Sequence, residues 1–350
     1  MVIAEKESGI PDTGALLRRL AVGFADAGRS GRDDDLWAVQ SAARRAWQDG
    51  IRHADLALLL VQLHLDCHAV AEAGVVLAAS PRAAATPTGR MLRAGLLLQR
   101  GDPEGAGGVL GDQLRRVRTW RTLALLAAVY EDVVDRAAAD LLYAEAGGEL
   151  DAKQLPAWAW IECQRARLRL ETGRIEGADR HLRRAEAAAP GCVVAAMRAR
   201  WHDVAGKAAT AAAVWGQVAE ATDRPDHWQA AAAAAARAGL DEEAALWQQR
   251  ARTGFVMARG RWPYRYAHHE VDWYLQVDRD TEQALAVAWS DYRQRPARRP
   301  AARLAAALRA AGDTATADRL DEEHERRRSK ARAGLEATLH GTGAALPATA

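Results

Sequence analysis

A glycine followed five residues later by an alanine recurs along this chain at a nearly fixed interval, and that recurrence limits the fold more than any other feature. The pairs are Gly101 and Ala106, Gly173 and Ala178, Gly206 and Ala211, Gly239 and Ala244, and Gly312 and Ala317. Two weaker copies put Val133 before Ala138 and Arg279 before Ala284. Seven residues ahead of the Gly position stand Ala94, Ala166, Ala199, Ala232 and Ala305, with Leu126 and Asp272 in the weak copies. The steps from one downstream alanine to the next are 32, 40, 33, 33, 40 and 33 residues. Repeats of this length read as stacked supersecondary units, not as two or three globular domains.

The chemistry of the unit is a helical hairpin. Alanine is the strongest helix former, and the 350 residues include 82 of them; Leu, Arg, Glu and Gln follow in propensity. Strand-length runs of Val and Ile are nearly absent, and segments such as 55–78, 90–99 and 123–144 carry apolar residues at helical spacing. Two antiparallel helices joined by a tight turn need a residue tolerant of positive φ where the first one ends, hence Gly. They need small side chains where the backbones approach, hence Ala on both sides. Pro190 and Pro296, seventeen residues after their Gly positions, stop the second helix. One hairpin cannot bury its own apolar face, so neighbours must stack.

These residues resemble the tetratricopeptide-repeat family, whose unit has small residues at its eighth and twentieth positions and Pro near its end. The best copy runs from Trp158 to Pro190 with Ala166, Gly173, Ala178, Leu182 and Ala185 in place, and the resemblance covers about residues 88 to 325. It implies an all-α, right-handed superhelical solenoid of about eight to nine antiparallel helix pairs. The expected organisation is a flexible N-terminus over 1–12, degenerate N-terminal hairpins over 13–87 capping the stack, repeats over 88–335, and a disordered tail over 336–350. The two steps of 40 place extra residues near 149–160 and 253–266, as a loop or a longer helix. Residues 80–89 read as an exposed connection.

The resemblance also implies which side chains face inward, since the first helix of each unit lines the concave groove. Its inward positions fall on Trp160, Cys163, Arg167 and Glu171, then Arg200 and Asp203. They continue with Asp226, Gln229 and Arg237, then Tyr266, His269, Trp273 and Gln276, and end on Arg299 and Arg309. Arg167 and Arg200 share one position a repeat apart, and Tyr266 and Trp273 supply two aromatic ledges. Spaced guanidinium forks suit carboxylates, so the implied activity is a non-catalytic protein-interaction scaffold holding an acidic peptide or protein segment. The Lys and Asn set of the family's carboxylate clamp is missing, so chaperone-tail recognition is not implied.

Two alternatives rest on local clusters. His64, Cys67 and His68 lie at i, i+3 and i+4 on one helix face, and His268, His269, Glu270 and Asp272 form the densest titratable run; either could serve an enzyme or a metal-dependent protein. No phosphate loop, HExxH, GxSxG or CxxC accompanies them, so no catalytic residue and no cofactor is expected. Between Arg293 and Arg332 stand 12 Lys or Arg against 6 Asp or Glu, a basic strip that could serve a nucleic-acid-associated regulator. No nucleic-acid-binding motif goes with it, and Arg326 to Arg328 follow Glu322 and Glu323 at helical pairing distance. Most of the 12 Trp fill core volume that Leu would fill elsewhere. No stretch of about 20 apolar residues marks a membrane span, the N-terminus reads as no secretory signal, and three scattered cysteines suggest a reducing compartment. The expected setting is cytoplasmic and, from the excess of Ala and of Arg over Lys, bacterial.

Overall fold

The computed structural model describes residues 12–133 and 136–340, with side chains to 335. Most of the expected N-terminal segment and the end of the expected tail lie outside the described residues, and the last helix continues to His340, past the expected boundary at 335. Among the described residues the structure is helical throughout, with no strand. The N-terminal part comprises α1 (Thr13–Ser30), α2 (Asp33–Gln48), α3 (Ala54–Asp66), α4 (Val70–Ala78) and the single turn α5 (Pro81–Ala84). Seven hairpins follow. They pair α6 (Pro87–Gln99) with α7 (Pro103–Arg116), α8 (Trp120–Val133) with α9 (Arg136–Gly148), and α10 (Leu155–Glu171) with α11 (Ile175–Ala188). Next come α12 (Cys192–Val204) with α13 (Ala208–Thr222), and α14 (Pro225–Arg237) with α15 (Asp241–Arg261). The last two join α16 (Ala267–Trp273) to α17 (Thr281–Gln294) and α18 (Arg298–Ala310) to α19 (Thr314–His340). The segment 80–89 is mostly exposed or half-buried, as expected of a connection, and it holds the single turn α5 with Ala83 buried.

The repeat unit has the predicted chemistry. Gly101, Gly173, Gly206, Gly239 and Gly312 all take φ between 71° and 85°, the left-handed conformation that ends the first helix of a pair. In one weak copy Arg279 adopts φ 56° at the same place. Ala106, Ala178, Ala211 and Ala317 are fully buried, as are Ala94, Ala166, Ala199 and Ala305 on the facing helices. A methyl group at these crossings lets the helices approach; a larger side chain would hold them apart. Asp12, Thr86, Asp102 and Asp280 cap helix N-termini by accepting from backbone N–H groups two or three residues on. The two long steps are resolved as longer helices, α10 with 17 residues and α15 with 21, each with an adjoining turn. A π-helical turn over Tyr274–Asp278 closes α16.

The stack does not remain an open arc. The core formed by Leu20, Val39, Leu60 and Val61 of the N-terminal hairpins is continuous with Phe255, Trp262, Tyr266 and Trp273. Trp37 meets Trp262 edge-on at 5.5 Å, and Trp262 Nε1 donates to Gln40 Oε1. At the other end α19 crosses back over α7 and α8, where Leu335 joins the core of Leu110, Leu123 and Leu126. Gly101 faces the Pro296 carbonyl so closely that a Cβ there would overlap its oxygen. First and last repeats are brought together, and the inner faces of the first helices surround a central space.

Candidate central cavity

A cavity of about 640 Å3 is walled by α6, α8, α10 and α18. Helix α8 contributes Trp120, Arg121 and Glu131, α10 contributes Trp160, Gln164 and Arg167, and α18 contributes Arg298 and Arg299. The volume falls in the range of ligand pockets. Trp120 and Trp160 occupy the same position of successive units, 40 residues apart, and so do Glu131 and Glu171. Trp160 is 38% exposed and meets Tyr143 edge-on at 6.1 Å. The Trp120 indole N–H is buried and has no acceptor among the described residues, an unmet donor at the wall.

Five arginines (121, 167, 295, 298 and 299) and two carboxylates, Glu131 and Asp132, line this cavity, and Arg295 is already held by two bonds to the buried Asp291 at 2.8 Å. Arg167 holds Glu131 in a bidentate fork at 2.8 and 2.5 Å and reaches Glu171 at 3.1 Å. Arg299, from the far end of the chain, donates to the same Glu131, and Arg298 reaches Asp132 at 3.2 Å. Burial favours the neutral form of Glu131, but the bonds and charges of Arg167 and Arg299 outweigh it and lower the pKa. Arg167 is likewise opposed by burial and held charged by Glu131, its pKa raised. Arg121 has no ion pair among the described residues; its guanidinium lies over the Trp120 ring at 4.5 Å.

A second cavity of about 470 Å3 lies between α1, α2, α12 and α14 and is lined by Arg32, Arg200, Arg224, His227 and Arg265 around Asp66. Arg200 and Arg167, predicted to repeat along one groove, do approach a shared carboxylate, Glu171, at 3.7 and 3.1 Å. Asp203 accepts from Trp215 Nε1 at 2.9 Å and from Arg237 at 2.6 Å, so these two inward positions pair with each other. Gln276 is exposed on the π-helical turn.

Tyr266 and Trp273 are not ledges of a groove. Both are 2% exposed and belong to the core that joins the N-terminal hairpins to α15 and α16. Tyr266 donates to the buried Asp33, and Trp273 Nε1 to Asp278 at 2.8 Å. The N-terminal hairpins meet Tyr266 through Asp33, while Trp273 packs on Phe255 of α15. His269 sits beside Asp226 at 3.8 Å, and its ring contacts His268, which in turn meets His68 edge-on at 5.6 Å. Parts of the two sequence clusters therefore do meet. His64 points instead to a surface pocket beside Arg44 and Trp47, and Cys67 reaches toward Gln40. Among the described residues no group of three His, Cys, Asp or Glu is arranged to hold a metal ion.

Trp120, Arg121 and Glu131 were missed by the inward mapping because their unit is a weak copy, with Val133 where Gly is expected. The signal was present for two of them nonetheless: counted from Leu126, Trp120 and Glu131 fall at the places of Trp160 and Glu171 on α10, whereas Arg121 falls at the place of Ile161.

The class defined by this architecture is a helical-repeat solenoid with open cavities on its inner surface. No family model matches the chain, and no curated protein sequence matches it. Among solved structures, one similar to it is the Rap conjugation gene regulator of the plasmid pLS20 in complex with the Phr peptide. The identity is 13% and the TM-score 0.49, with 95% of this chain and 98% of that chain covered. No helix among the described residues is long and apolar enough to cross a membrane.

Proposed function

We propose that this chain is a non-catalytic protein-interaction scaffold and that its central cavity takes an acidic peptide segment. The observation that carries the reading is the cavity's lining: two tryptophans from equivalent repeat positions, and Arg121, Arg167, Arg298 and Arg299 against Glu131 and Asp132. An extended segment offers what this lining needs. Its apolar side chains lie on Trp160, and its carboxylates meet guanidinium groups. Arg121, carrying no ion pair among the described residues, is the cation most available to it.

The nucleic-acid reading is less favoured, because the C-terminal arginines are spent within the chain. Arg303 pairs with Asp272, Arg309 with Asp318 and Asp321, and Arg327 with Glu323. Panning a random nonapeptide library on the purified protein and on Trp160→Ala tests the proposal. Enrichment of Asp- and Glu-containing peptides on the parent protein, lost in the variant at unchanged helical spectrum, supports it. Enrichment that the variant retains, or none at all, removes the central cavity as the site.

A further inference from the structure

We propose that Glu131 is a built-in occupant of the cavity's carboxylate site, and that an acidic ligand binds by taking its place in the fork formed by Arg167 and Arg299. The inference rests on the peptide reading above and names the subsite and its control.

Three helices that wall the cavity converge on this one carboxylate: α8 carries Glu131, α10 carries Arg167 and α18 carries Arg299. The Arg167 fork grips both oxygens in the bidentate geometry by which a guanidinium recognises any carboxylate. The site is therefore already shaped and desolvated for the group a ligand would bring. Its two cations differ in what else holds them. Arg167 keeps Glu171 at 3.1 Å whichever carboxylate fills the fork, whereas Arg299, 59% exposed along its side chain, has Glu131 as its one carboxylate among the described residues. An incoming carboxylate thus finds one cation anchored in place and one able to follow it.

Exchange swaps like for like. The ligand gains the bonds that Glu131 gives up, and Glu131 turns toward the water of the cavity. The apparent affinity is then reduced by the fraction of molecules in which Glu131 still fills the fork. A neutral peptide has nothing with which to displace it, so the internal carboxylate also acts as a filter for charge. Exchange further unties one link between α8 and α18, residues 168 apart in sequence, while Arg298 and Asp132 retain the other at 3.2 Å.

Isothermal titration of the full chain tests this with three octapeptide probes. One alternates Glu and Leu with an amidated C-terminus, one alternates Gln and Leu with a free C-terminal carboxylate, and the third is the Gln and Leu peptide amidated and neutral. Glu131→Gln should bind the first or second probe about tenfold more tightly than the parent chain, and the neutral probe no better. Which of the two gains identifies side-chain or C-terminal carboxylate as the ligand group. Asp132→Asn removes the same charge from the neighbouring residue and should gain little; equal gains in both variants would reduce the effect to net charge and overturn the displacement. An affinity unchanged or weakened in Glu131→Gln also overturns it, while leaving the peptide reading intact if the parent chain binds. Failure of both proteins to bind any probe ends the peptide reading and the inference together. Should Glu131→Gln not fold, Glu131→Asp keeps the charge but shortens its reach, and must move the affinity in the same direction by a smaller factor.

Discussion

The Tyr266 hydroxyl lies 2.7 Å from both carboxylate oxygens of Asp33, a residue 233 positions earlier in the chain. Arg265 reaches the same carboxylate at 3.2 Å, and Arg224 and Asp226 pair beside it at 2.7 Å. This buried polar group fastens the N-terminal hairpins to the inner face of the repeats. Burial pushes the Asp33 pKa upward, with Arg265 and the Tyr266 hydroxyl opposing it.

Tyr266→Phe keeps the ring in the core and removes only the hydroxyl. It should cost about 1–3 kcal/mol, since a buried carboxylate loses a donor. Urea denaturation followed by circular dichroism measures this, and proteolysis sites should concentrate in 13–87 if the junction loosens first. Unchanged stability would mean that Arg265 alone satisfies Asp33.

Two glycines with nearly the same backbone test whether the ring closure matters. Gly101 has φ 73° and faces the Pro296 carbonyl; Gly173 has φ 71° and nothing within 4 Å of where a Cβ would stand. Alanine at either position bears the left-handed penalty of about 1–2 kcal/mol. Gly101→Ala must also push α18 away, so it should lose about 1–3 kcal/mol more than Gly173→Ala in paired thermal melts. Equal losses would show that α6 and α18 part easily.

The histidines around α16 make stability fall with acid. His68 is pushed down to about 3, first by burial and then by Arg295, with Arg265 and His269 adding to it and the bond to Gln99 opposing. His268 is lowered by burial, His269, His68, Arg295 and Arg303, and His227 falls to about 4 despite Asp226. Each is neutral in the folded chain and takes a proton more readily when unfolded. Their contribution is complete above about pH 6.5 and is lost as pH falls from there toward 4. Asp66, raised to about 6 by burial, works in the opposite direction. Comparison with His68→Asn isolates the histidine effect, because Asn tolerates the positive φ of 59° at this position. The variant should lose less melting temperature between pH 6.5 and 4.5 than the parent chain; parallel curves would refute the assignment.

The hairpin was legible in the sequence because Gly and Ala answer to local rules, a backbone angle and a close crossing, that leave their mark at fixed spacing. Ala211 and Ala178 are buried for the reason their spacing suggested. Closure of the stack was not legible. Trp262 on Gln40 and Tyr266 on Asp33 join residues more than 200 apart, and no periodicity encodes such a pairing. The candidate groove suffered accordingly. Trp160 and Arg167 do line the central cavity, while Tyr266 is core against Asp33 of the N-terminal hairpins and Trp273 is core against Phe255. The C-terminal basic strip looked free because its acids come from distant helices: Asp132 for Arg298, Glu131 for Arg299 and Asp272 for Arg303.

Two arginines of one cavity should separate binding from stability. Arg167 is 13% exposed along its side chain and holds Glu131, itself 7% exposed. Arg167→Ala strands that carboxylate with Arg299 alone and should cost about 3 kcal/mol, the lower end for breaking a buried pair. Loss of peptide binding in that variant would therefore be ambiguous. Arg121 is exposed, and its contact is the face of Trp120. Arg121→Ala should change stability by less than about 1 kcal/mol, the scale of an exposed cation–π contact. It should still weaken an acidic peptide by about ten- to hundredfold, because a charged hydrogen bond typically contributes about 1.5–3 kcal/mol. Titration calorimetry with the Glu and Leu octapeptide and a thermal melt of the same sample give both numbers. A variant that binds as the parent does would move the ligand's carboxylates away from the α8 wall, and one that melts much lower would show that Arg121 is structural.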